Sequence, residues 1–322
     1  MIRVRSLVKR YRQTEALKGI SFDVPRGEII GLVGPNGAGK STTMKILTGY
    51  MTPTSGSAEV AGHDAIRNPI AAQRHIGYLP ETVPVYTDMV VQDYLRYIAT
   101  LRGVAGGDVD RRVSHVVRLC NLEDRLAWTI GTLSKGYRQR VGIAQAIVHD
   151  PDVVILDEPT SGLDPNQIFH IRDLIRQLGA EKTIILSTHI LSEVEASCSR
   201  AVILIDGEVR ADRDLDELRS RNAALVSIKS AAAEVEAGLR AAPGVESIEA
   251  LSGANGVSRF RVQGSGELTE SLYAVIKQKD WGLVELRREE RRLEDVFREL
   301  TAAERGAAAS VASGEATGGS PA

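Results

Sequence analysis

The segment GPNGAGKS, near the start of the chain, constrains the fold more than any other feature of the sequence. It fits the pattern G-x-x-x-x-G-K-[ST] at every fixed position, and it lies between an apolar run, residues 28–33, and a helical pattern, residues 42–47. A glycine-rich loop in that context turns successive backbone N–H groups toward phosphate oxygens, and the following helix adds the positive end of its dipole. The segment therefore predicts a P-loop that binds the phosphates of a nucleotide, formed by Gly34, Pro35, Asn36, Gly37, Ala38, Gly39, Lys40, Ser41 and Thr42.

Two residues of this loop have distinct predicted roles. Lys40 is expected to contact the β- and γ-phosphates and to act in catalysis, and the Ser41 hydroxyl is expected to ligate Mg²⁺. The alternative is a glycine-rich turn that binds nothing. The complete match between a strand and a helix disfavours that alternative, so nucleotide binding is the first functional prediction.

Two further apolar runs, residues 153–156 and 183–187, are short, continuous and rich in β-branched side chains. Such runs are typical of parallel strands that helices cover on both faces. They predict an α/β fold built on a parallel sheet. Residues 90–123 contain no such run but carry helical spacing, so we expect a helical subdomain over residues 88–150, inserted into the sheet domain.

Polar residues follow both of these runs. Asp157 and Glu158 come directly after residue 156, and His189 comes two residues after the run at 183–187. Open α/β sheets bind ligands at the carboxyl ends of their strands, so these side chains are predicted to face the phosphates. Asp157 suits the Mg²⁺ shell, Glu158 can polarise the attacking water as general base, and His189 can reach the γ-phosphate. The alternatives are a solvated strand end or a helix cap for the acidic pair, and an ordinary surface or core residue for the histidine.

The last third of the chain has a different pattern. Over residues 225–300 the predicted elements follow the order strand, helix, strand, strand, helix, strand, helix, with turn signals at 243–244 and 253–256. The order βαββαβ is typical of a ferredoxin-like unit. The final segment is rich in Ala, Gly and Ser and cannot offset its ordering entropy by burial. We therefore predict a nucleotide-binding domain, a ferredoxin-like accessory domain and a disordered tail, at residues 1–220, 221–301 and 302–322.

Net charge and hydropathy limit the kinds of partner and location that the chain can have. Lys and Arg number 40 and Asp and Glu number 42, so the net charge of −2 provides no general attraction to nucleic acid, and none is expected as a partner. No uncharged apolar stretch approaches the roughly 18 residues that a membrane span needs, and the opening residues lack the apolar core of a secretory signal. We expect a cytoplasmic protein.

Residues 133–140, LSKGYRQR, resemble the LSGGQ-type signature of ATP-binding cassette (ABC) ATPases. The resemblance extends from about residue 2 to residue 218, through the P-loop, the Walker B run at 153–158, the D-loop at 161–164 and the switch His189. Two positions depart from the common pattern: Lys135 stands where glycine is usual, and Glu81 stands where the Q-loop glutamine usually lies. These variants, with the segments TSGLDPNQ and LEDVF, are similar to the branch that pairs with type-2 permeases, in gliding-motility, copper-processing and multidrug efflux systems.

The resemblance implies a head-to-tail homodimer that binds and hydrolyses ATP with Mg²⁺. Each ATP is then expected between the P-loop of one subunit and the signature of the other, where Ser134 and the Gly136 N–H donate to the γ-phosphate. Tyr11, at the position of the A-loop aromatic, is expected to stack on adenine. The resemblance also implies that Glu81 senses ATP and couples it to the membrane partner.

That partner is expected to be an integral membrane permease on a separate chain, held against the helical subdomain, with export as the direction. The ATPase itself would then be peripheral on the inner face of the cell membrane. The first alternative is a soluble ABC ATPase without a permease, acting as a regulatory or nucleic-acid-associated switch. The presence of one cassette, and the short spacing between Ser41 and Leu133, disfavour it. The second is a regulator that binds nucleotide without hydrolysis, and an intact Glu158 and His189 argue against it.

Overall fold

The computed structural model describes residues 1–215, 217, 222–253, 256–290, 293–298 and 300. The predicted disordered tail at 302–322 lies outside the described residues. The chain divides into two compact units, residues 1–213 and the residues from 214 onward. No helix in the described part of the chain is both long enough and apolar enough to span a bilayer.

The first unit is built on a six-stranded sheet with the strand order β10-β9-β3-β8-β7-β6. The pairs β3–β8, β3–β9, β7–β8 and β6–β7 are all parallel. Every residue of β7 and β8 is buried, which is why these strands carry continuous apolar runs instead of an alternating pattern. The predicted parallel α/β sheet is therefore confirmed for β6, β7, β8, β3 and β9, and β10 lies at its edge. The strands are β3 (Ile29–Val33), β6 (Ile76–Leu79), β7 (Val153–Asp157), β8 (Thr183–Thr188), β9 (Arg200–Ile205) and β10 (Glu208–Asp214).

A second, antiparallel sheet covers one face of this unit, and the sequence analysis did not identify it. Its order is β2-β1-β4-β5. The apolar face of this sheet and one face of the parallel sheet enclose Met44, Ile46 and Leu47 of the helix after the P-loop in a single core. The strands are β1 (Ile2–Tyr11), β2 (Thr14–Val24), β4 (Ser55–Val60) and β5 (His63–Asp64).

Helices cover the remaining faces of the first unit. Residues 88–150 contain three of them, and apolar side chains such as Tyr94, Leu95 and Val116 pack there with β7 residues Val154 and Leu156 in one core. A helical segment thus sits on the side of the sheet opposite the antiparallel strands. The helices are α1 (Lys40–Leu47), α2 (Pro69–Arg74), α3 (Val91–Leu101), α4 (Val109–Leu119), α5 (Lys135–Ile147), α6 (Pro165–Gly179) and α7 (Leu191–Ser197).

The second unit has a four-stranded antiparallel sheet in the order β12-β13-β11-β14. Its core includes Val226, Phe260 and Leu272. The elements follow the order βαββαβ, and this sheet order is the ferredoxin-like arrangement that the sequence predicts. They are β11 (Asn222–Lys229), α8 (Ala232–Arg240), β12 (Val245–Leu251), β13 (Ser258–Gly264), α9 (Leu268–Gln278) and β14 (Gly282–Glu290).

Candidate nucleotide site

The predicted P-loop connects β3 to α1. Its glycines meet steric requirements: a Cβ on Gly34 would lie 2.2 Å from the carbonyl oxygen of Leu204, and Gly39 has a φ of 103°. Only glycine adopts such a conformation, or accepts such a close backbone contact, at low cost. The helix then begins at Lys40, so its first N–H groups lie at the end of the loop.

Lys40 is 7% exposed and folds back over the loop. Its Nζ donates to the carbonyl oxygens of Gly34, at 2.7 Å, and Pro35, at 3.1 Å, and lies 3.9 Å from Glu158 Oε1. Burial lowers the pKa of Lys40, and the nearby carboxylates of Glu158, Asp157 and Glu81 oppose that shift. The loop therefore holds a buried cation beside its own backbone oxygens.

Asp157 ends β7 and is 2% exposed. Its Oδ1 accepts hydrogen bonds from Ser41 Oγ at 3.2 Å and from Ser187 Oγ at 2.5 Å. The parallel register places Asp157 opposite Ser187 on β8. A carboxylate beside a hydroxyl is the kind of hard oxygen donor set that Mg²⁺ prefers, so Ser41 and Asp157 fit the predicted metal.

Glu158 follows in a left-handed backbone conformation, with a φ of 51°, which is uncommon for a residue with a side chain. Its N–H donates to Ser187 Oγ at 3.0 Å, and its Oε2 lies 2.9 Å from Nδ1 of His189. Glu158 is 8% exposed. Burial raises the pKa of its carboxyl group, while His189 and Lys40 act in the opposite direction. A raised pKa brings a carboxylate closer to the proton affinity that a general base needs near neutral pH.

Several of the residues described above line one cavity of about 550 Å³. It brings together the P-loop, Glu81, Glu158 and His189, which the sequence analysis placed in the site from separate segments. The lining residues are Asn36, Gly37, Ala38, Gly39, Lys40, Ser41, Thr42, Glu81, Glu158, Ser161 and His189.

Comparison with known proteins identifies the family of this chain. A family profile described as "ABC transporter" matches residues 17–161. The uncharacterized ABC transporter ATP-binding protein YxlF of Bacillus subtilis (strain 168) is 35% identical over 248 residues, which are 77% of this chain and 82% of that protein. The chain belongs to the ABC transporter ATP-binding protein family. It is accordingly an ABC ATPase.

Two other proteins extend the comparison. The bacitracin transport ATP-binding protein BcrA of Bacillus licheniformis is 34% identical over 224 residues, which are 69% of this chain and 72% of that protein. The dimeric structure of MJ0796, a bacterial ABC transporter cassette, matches this chain with a TM-score of 0.62 and 25% sequence identity. The match covers 67% of this chain and 99% of the MJ0796 chain.

The signature residues of this ABC ATPase lie outside the cavity. Ser134 is exposed and caps α5, where its Oγ accepts from the Tyr137 N–H at 3.4 Å. Gly136 is buried, and a Cβ there would lie 2.5 Å from Cδ of Gln167 on α6. Within one chain Ser134 therefore caps α5, while neither Ser134 nor Gly136 lines the chain's own P-loop cavity.

Tyr11 also lies outside the cavity lining. It ends β1, is 42% exposed, and its hydroxyl donates to Sδ of Met51 at 2.7 Å. Lys9 Nζ lies 5.3 Å from the centre of the Tyr11 ring. The ring is accessible, and the predicted stacking on adenine stays a prediction.

Two residues of the site have no predicted role in the sequence, although Ser161 begins the D-loop segment at 161–164. Ser187 bridges Asp157 and the Glu158 N–H, and Ser161 lines the cavity. Ser187 was included only as the end of an apolar run. Ser187 could be suspected from its hydroxyl at the carboxyl end of a parallel strand, where ligands bind. Its contact with Asp157, however, depends on the register between β7 and β8.

Proposed function

We propose that this chain is the ATP-hydrolysing subunit of an ABC exporter, in which two copies dimerise on ATP and drive a separate membrane permease. The observation that carries the proposal is the single cavity in which Lys40 of the P-loop faces Glu158 and His189. That set combines phosphate binding with an intact hydrolytic pair. The direction of transport rests on similarity to relatives such as the bacitracin transport protein BcrA.

The P-loop binds the triphosphate. Backbone N–H groups of the loop and the N-terminus of α1 donate to the phosphates, and Lys40 neutralises charge on the β- and γ-phosphates. When bound at Ser41 and Asp157, Mg²⁺ supplies further positive charge to the phosphate oxygens.

Glu158 and His189 carry the hydrolytic step. The Glu158 carboxylate orients the attacking water and accepts its proton, because it is buried beside the cavity and its pKa is raised. His189 is half-exposed, bonds to Glu158 through one ring nitrogen, and leaves the other for the γ-phosphate. The backbone of Glu158 is fixed by Ser187, so the general base is oriented before ATP binds.

A second copy completes the site. The P-loop cavity is open to solvent, and the capped N-terminus of α5, with exposed Ser134, lies on the surface of the same unit. In a head-to-tail dimer, Ser134 and the Gly136 N–H of one copy would reach the γ-phosphate held by the other, which links ATP binding to association. The dimeric structure of MJ0796, a bacterial ABC transporter cassette, supports the association of two copies.

A second cavity, of about 620 Å³, suits the permease. It lies between the sheet and the helical segment, and five of its lining residues are tyrosines. Tyr50 is 73% exposed and Leu101 is 67% exposed, an apolar surface that a partner segment can cover. Pro80 and Pro84 line this groove while Glu81 lines the nucleotide cavity. We therefore place the coupling segment of the permease here, with the ATPase peripheral on the inner face of the membrane.

The test is the variant Glu158→Gln, which keeps the shape of the side chain and removes the base. It is expected to bind Mg-ATP with wild-type affinity, to lose nearly all hydrolysis, and to accumulate as an ATP-bound dimer in size-exclusion chromatography. Glu181→Gln, the same change at an exposed position before β8, is the control and should behave as wild type. Normal hydrolysis by Glu158→Gln, or a strictly monomeric ATP-bound form at high concentration, would refute the proposal.

A further inference from the structure

One buried carboxylate beside the hydrolytic site has no part in the chemistry described above. Glu193 lies in the first turn of α7 and is 2% exposed. Its Oε2 accepts hydrogen bonds from Thr160 Oγ1 at 2.7 Å and from Thr188 Oγ1 at 2.9 Å. Its Oε1 is buried and has no hydrogen-bond partner in the part of the chain that the structure describes. Both threonines are themselves buried.

The two threonines belong to the two segments that carry the hydrolytic pair. Thr160 lies two residues after Glu158 and directly before Ser161, which lines the nucleotide cavity. Thr188 ends β8 and directly precedes His189. One carboxylate oxygen thus joins the chain after the general base to the chain before the histidine.

The hydrogen bonds of Thr188 extend this link to both sides of His189. Thr188 Oγ1 also accepts from the Ile190 N–H at 3.0 Å, so the same hydroxyl contacts Glu193 and the backbone after the histidine. His189 in turn meets Oε2 of Glu158 at 2.9 Å. The contacts among Glu158, His189, Thr188, Glu193 and Thr160 therefore close a loop that returns to the segment of the general base.

The helix that carries Glu193 is fixed to the central sheet. A Cβ on Gly31 of β3 would lie 2.4 Å from Cγ1 of Val194, so α7 packs directly against the strand that leads into the P-loop. Because the Val194 side chain packs this closely on the backbone of Gly31, α7 has little room to shift. The Glu193 carboxylate is consequently held at a fixed position relative to the phosphate loop.

Stability alone does not explain this residue. Burying a carboxylate is costly unless its oxygens are hydrogen-bonded, and here one oxygen has no partner among the described residues. An apolar side chain of similar volume would avoid that cost. The benefit of the carboxylate is instead that it accepts two hydroxyl groups at once and fixes their relative position.

We propose that Glu193 is a positioning residue for ATP hydrolysis, which holds the segment of His189 and the D-loop segment from Ser161 in one arrangement around Glu158. Its side chain does not line the nucleotide cavity. The inference rests on the roles proposed above for Glu158 and His189. Without Glu193, the two segments would keep their backbone structure but would no longer be held in a fixed position relative to each other at the site.

The cleanest test uses Thr160, whose hydroxyl makes only the bond to Glu193 among the described residues. Thr160→Val removes the hydroxyl and keeps the branched shape, while Thr160→Ser keeps the hydroxyl and serves as the matched control. In the full chain, Thr160→Val and Glu193→Leu, which removes the acceptor for both threonine hydroxyls, are expected to lower kcat by about tenfold or more, because small misplacements of catalytic groups have effects of that order. Thr160→Ser should retain most of the wild-type kcat.

Three measurements separate positioning from a structural role. The affinity for a fluorescent ATP analogue and the thermal midpoint of unfolding of Thr160→Val should stay near wild type while kcat falls. The double variant Thr160→Val/Glu193→Leu should lose no more activity than Glu193→Leu alone, because the leucine already removes the bond to Thr160. Wild-type kcat in Thr160→Val, or equal losses in Thr160→Val and Thr160→Ser, would overturn the inference.

Parallel assay of Glu158→Gln distinguishes the two proposals. If Glu158→Gln abolishes hydrolysis while Thr160→Val does not change it, only the role of Glu193 is wrong. If Glu158→Gln hydrolyses ATP normally, the proposed hydrolytic pair itself is wrong. Should Glu193→Leu fail to fold, Thr160→Val and its serine control still decide the question.

Discussion

Replacing Lys40 by methionine tests how much of the ATP affinity depends on one buried ammonium. Methionine keeps most of the length and volume of the side chain but carries no charge and donates no hydrogen bond. In the structure, Lys40 Nζ is held by the carbonyl oxygens of Gly34 and Pro35, at 2.7 and 3.1 Å, and lies 3.9 Å from Glu158 Oε1. Its location on the loop makes it the first side-chain cation that a triphosphate meets there.

The expected loss of ATP affinity in Lys40→Met follows from the hydrogen bond that the variant cannot make. A hydrogen bond involving a charged group contributes about 1.5–3 kcal/mol, and in this 7% exposed position little screening by water is expected. The lost free energy corresponds to a decrease in ATP affinity of about 10- to 150-fold. The unliganded protein should lose little stability, because burial already disfavours the charged lysine, as the lowering of its pKa indicates.

The assay is a titration with a fluorescent ATP analogue, together with thermal unfolding in the presence and absence of Mg-ATP. Lys45→Met is the matched control, since Lys45 lies on the same helix, exposed in its last turn. The control should bind ATP like wild type. In Lys40→Met, the increase in unfolding temperature caused by ATP should be much reduced, in proportion to the weaker binding. Unchanged affinity in Lys40→Met would refute the assignment of this cavity as the phosphate site.

Two further outcomes are expected. Because burial raises the pKa of Glu158, the ionised base forms at higher pH than for an ordinary glutamate, so kcat should fall as the pH is lowered through a value above that of a free carboxyl group. A pH–rate profile with its acid limb at the ordinary carboxyl value would contradict this. Tyr94→Phe should leave the ATPase rate of the isolated chain unchanged and reduce its stimulation by the permease, since the Tyr94 hydroxyl bonds the Pro84 carbonyl oxygen and Gln145. Full stimulation would show that the Tyr94 hydroxyl plays no part in coupling.

The parts of the fold that the sequence predicts are those with local signals. The P-loop is a contiguous motif, and β7 and β8 are continuous apolar runs because both of their faces are buried. Strand β1 lacks such a signal. Its buried residues Ile2, Val4 and Leu7 do not keep a period of two, because a bulge with a φ of 44° at Ser6 shifts the alternation by one residue. A bulge that depends on pairing with neighbouring strands cannot be read from one strand alone.

The residues of the candidate site divide in the same way, into those with a local sequence signal and those without one. Glu158 and His189 could be predicted because each follows a recognisable strand, and their mutual contact at 2.9 Å follows from the order of β7 and β8 in the sheet. Ser187 and Glu193 could not be predicted in the same way. Ser187 acts through the register between two strands, and Glu193 acts through two hydroxyl groups that lie far apart in sequence. Such roles depend on tertiary contacts that no local pattern records.

The short segment around Glu81 borders both cavities, and its composition affects how it can move. Pro80 and Pro84 flank it, and proline fixes the backbone torsion φ near −65°. Fewer rotatable bonds leave fewer ways to absorb a displacement by local bending. In the proposed transporter, a shift imposed on Glu81 by the nucleotide would therefore reach the tyrosine-lined groove within a few residues, and a displacement of the groove by the permease would reach the nucleotide through the same stiff segment.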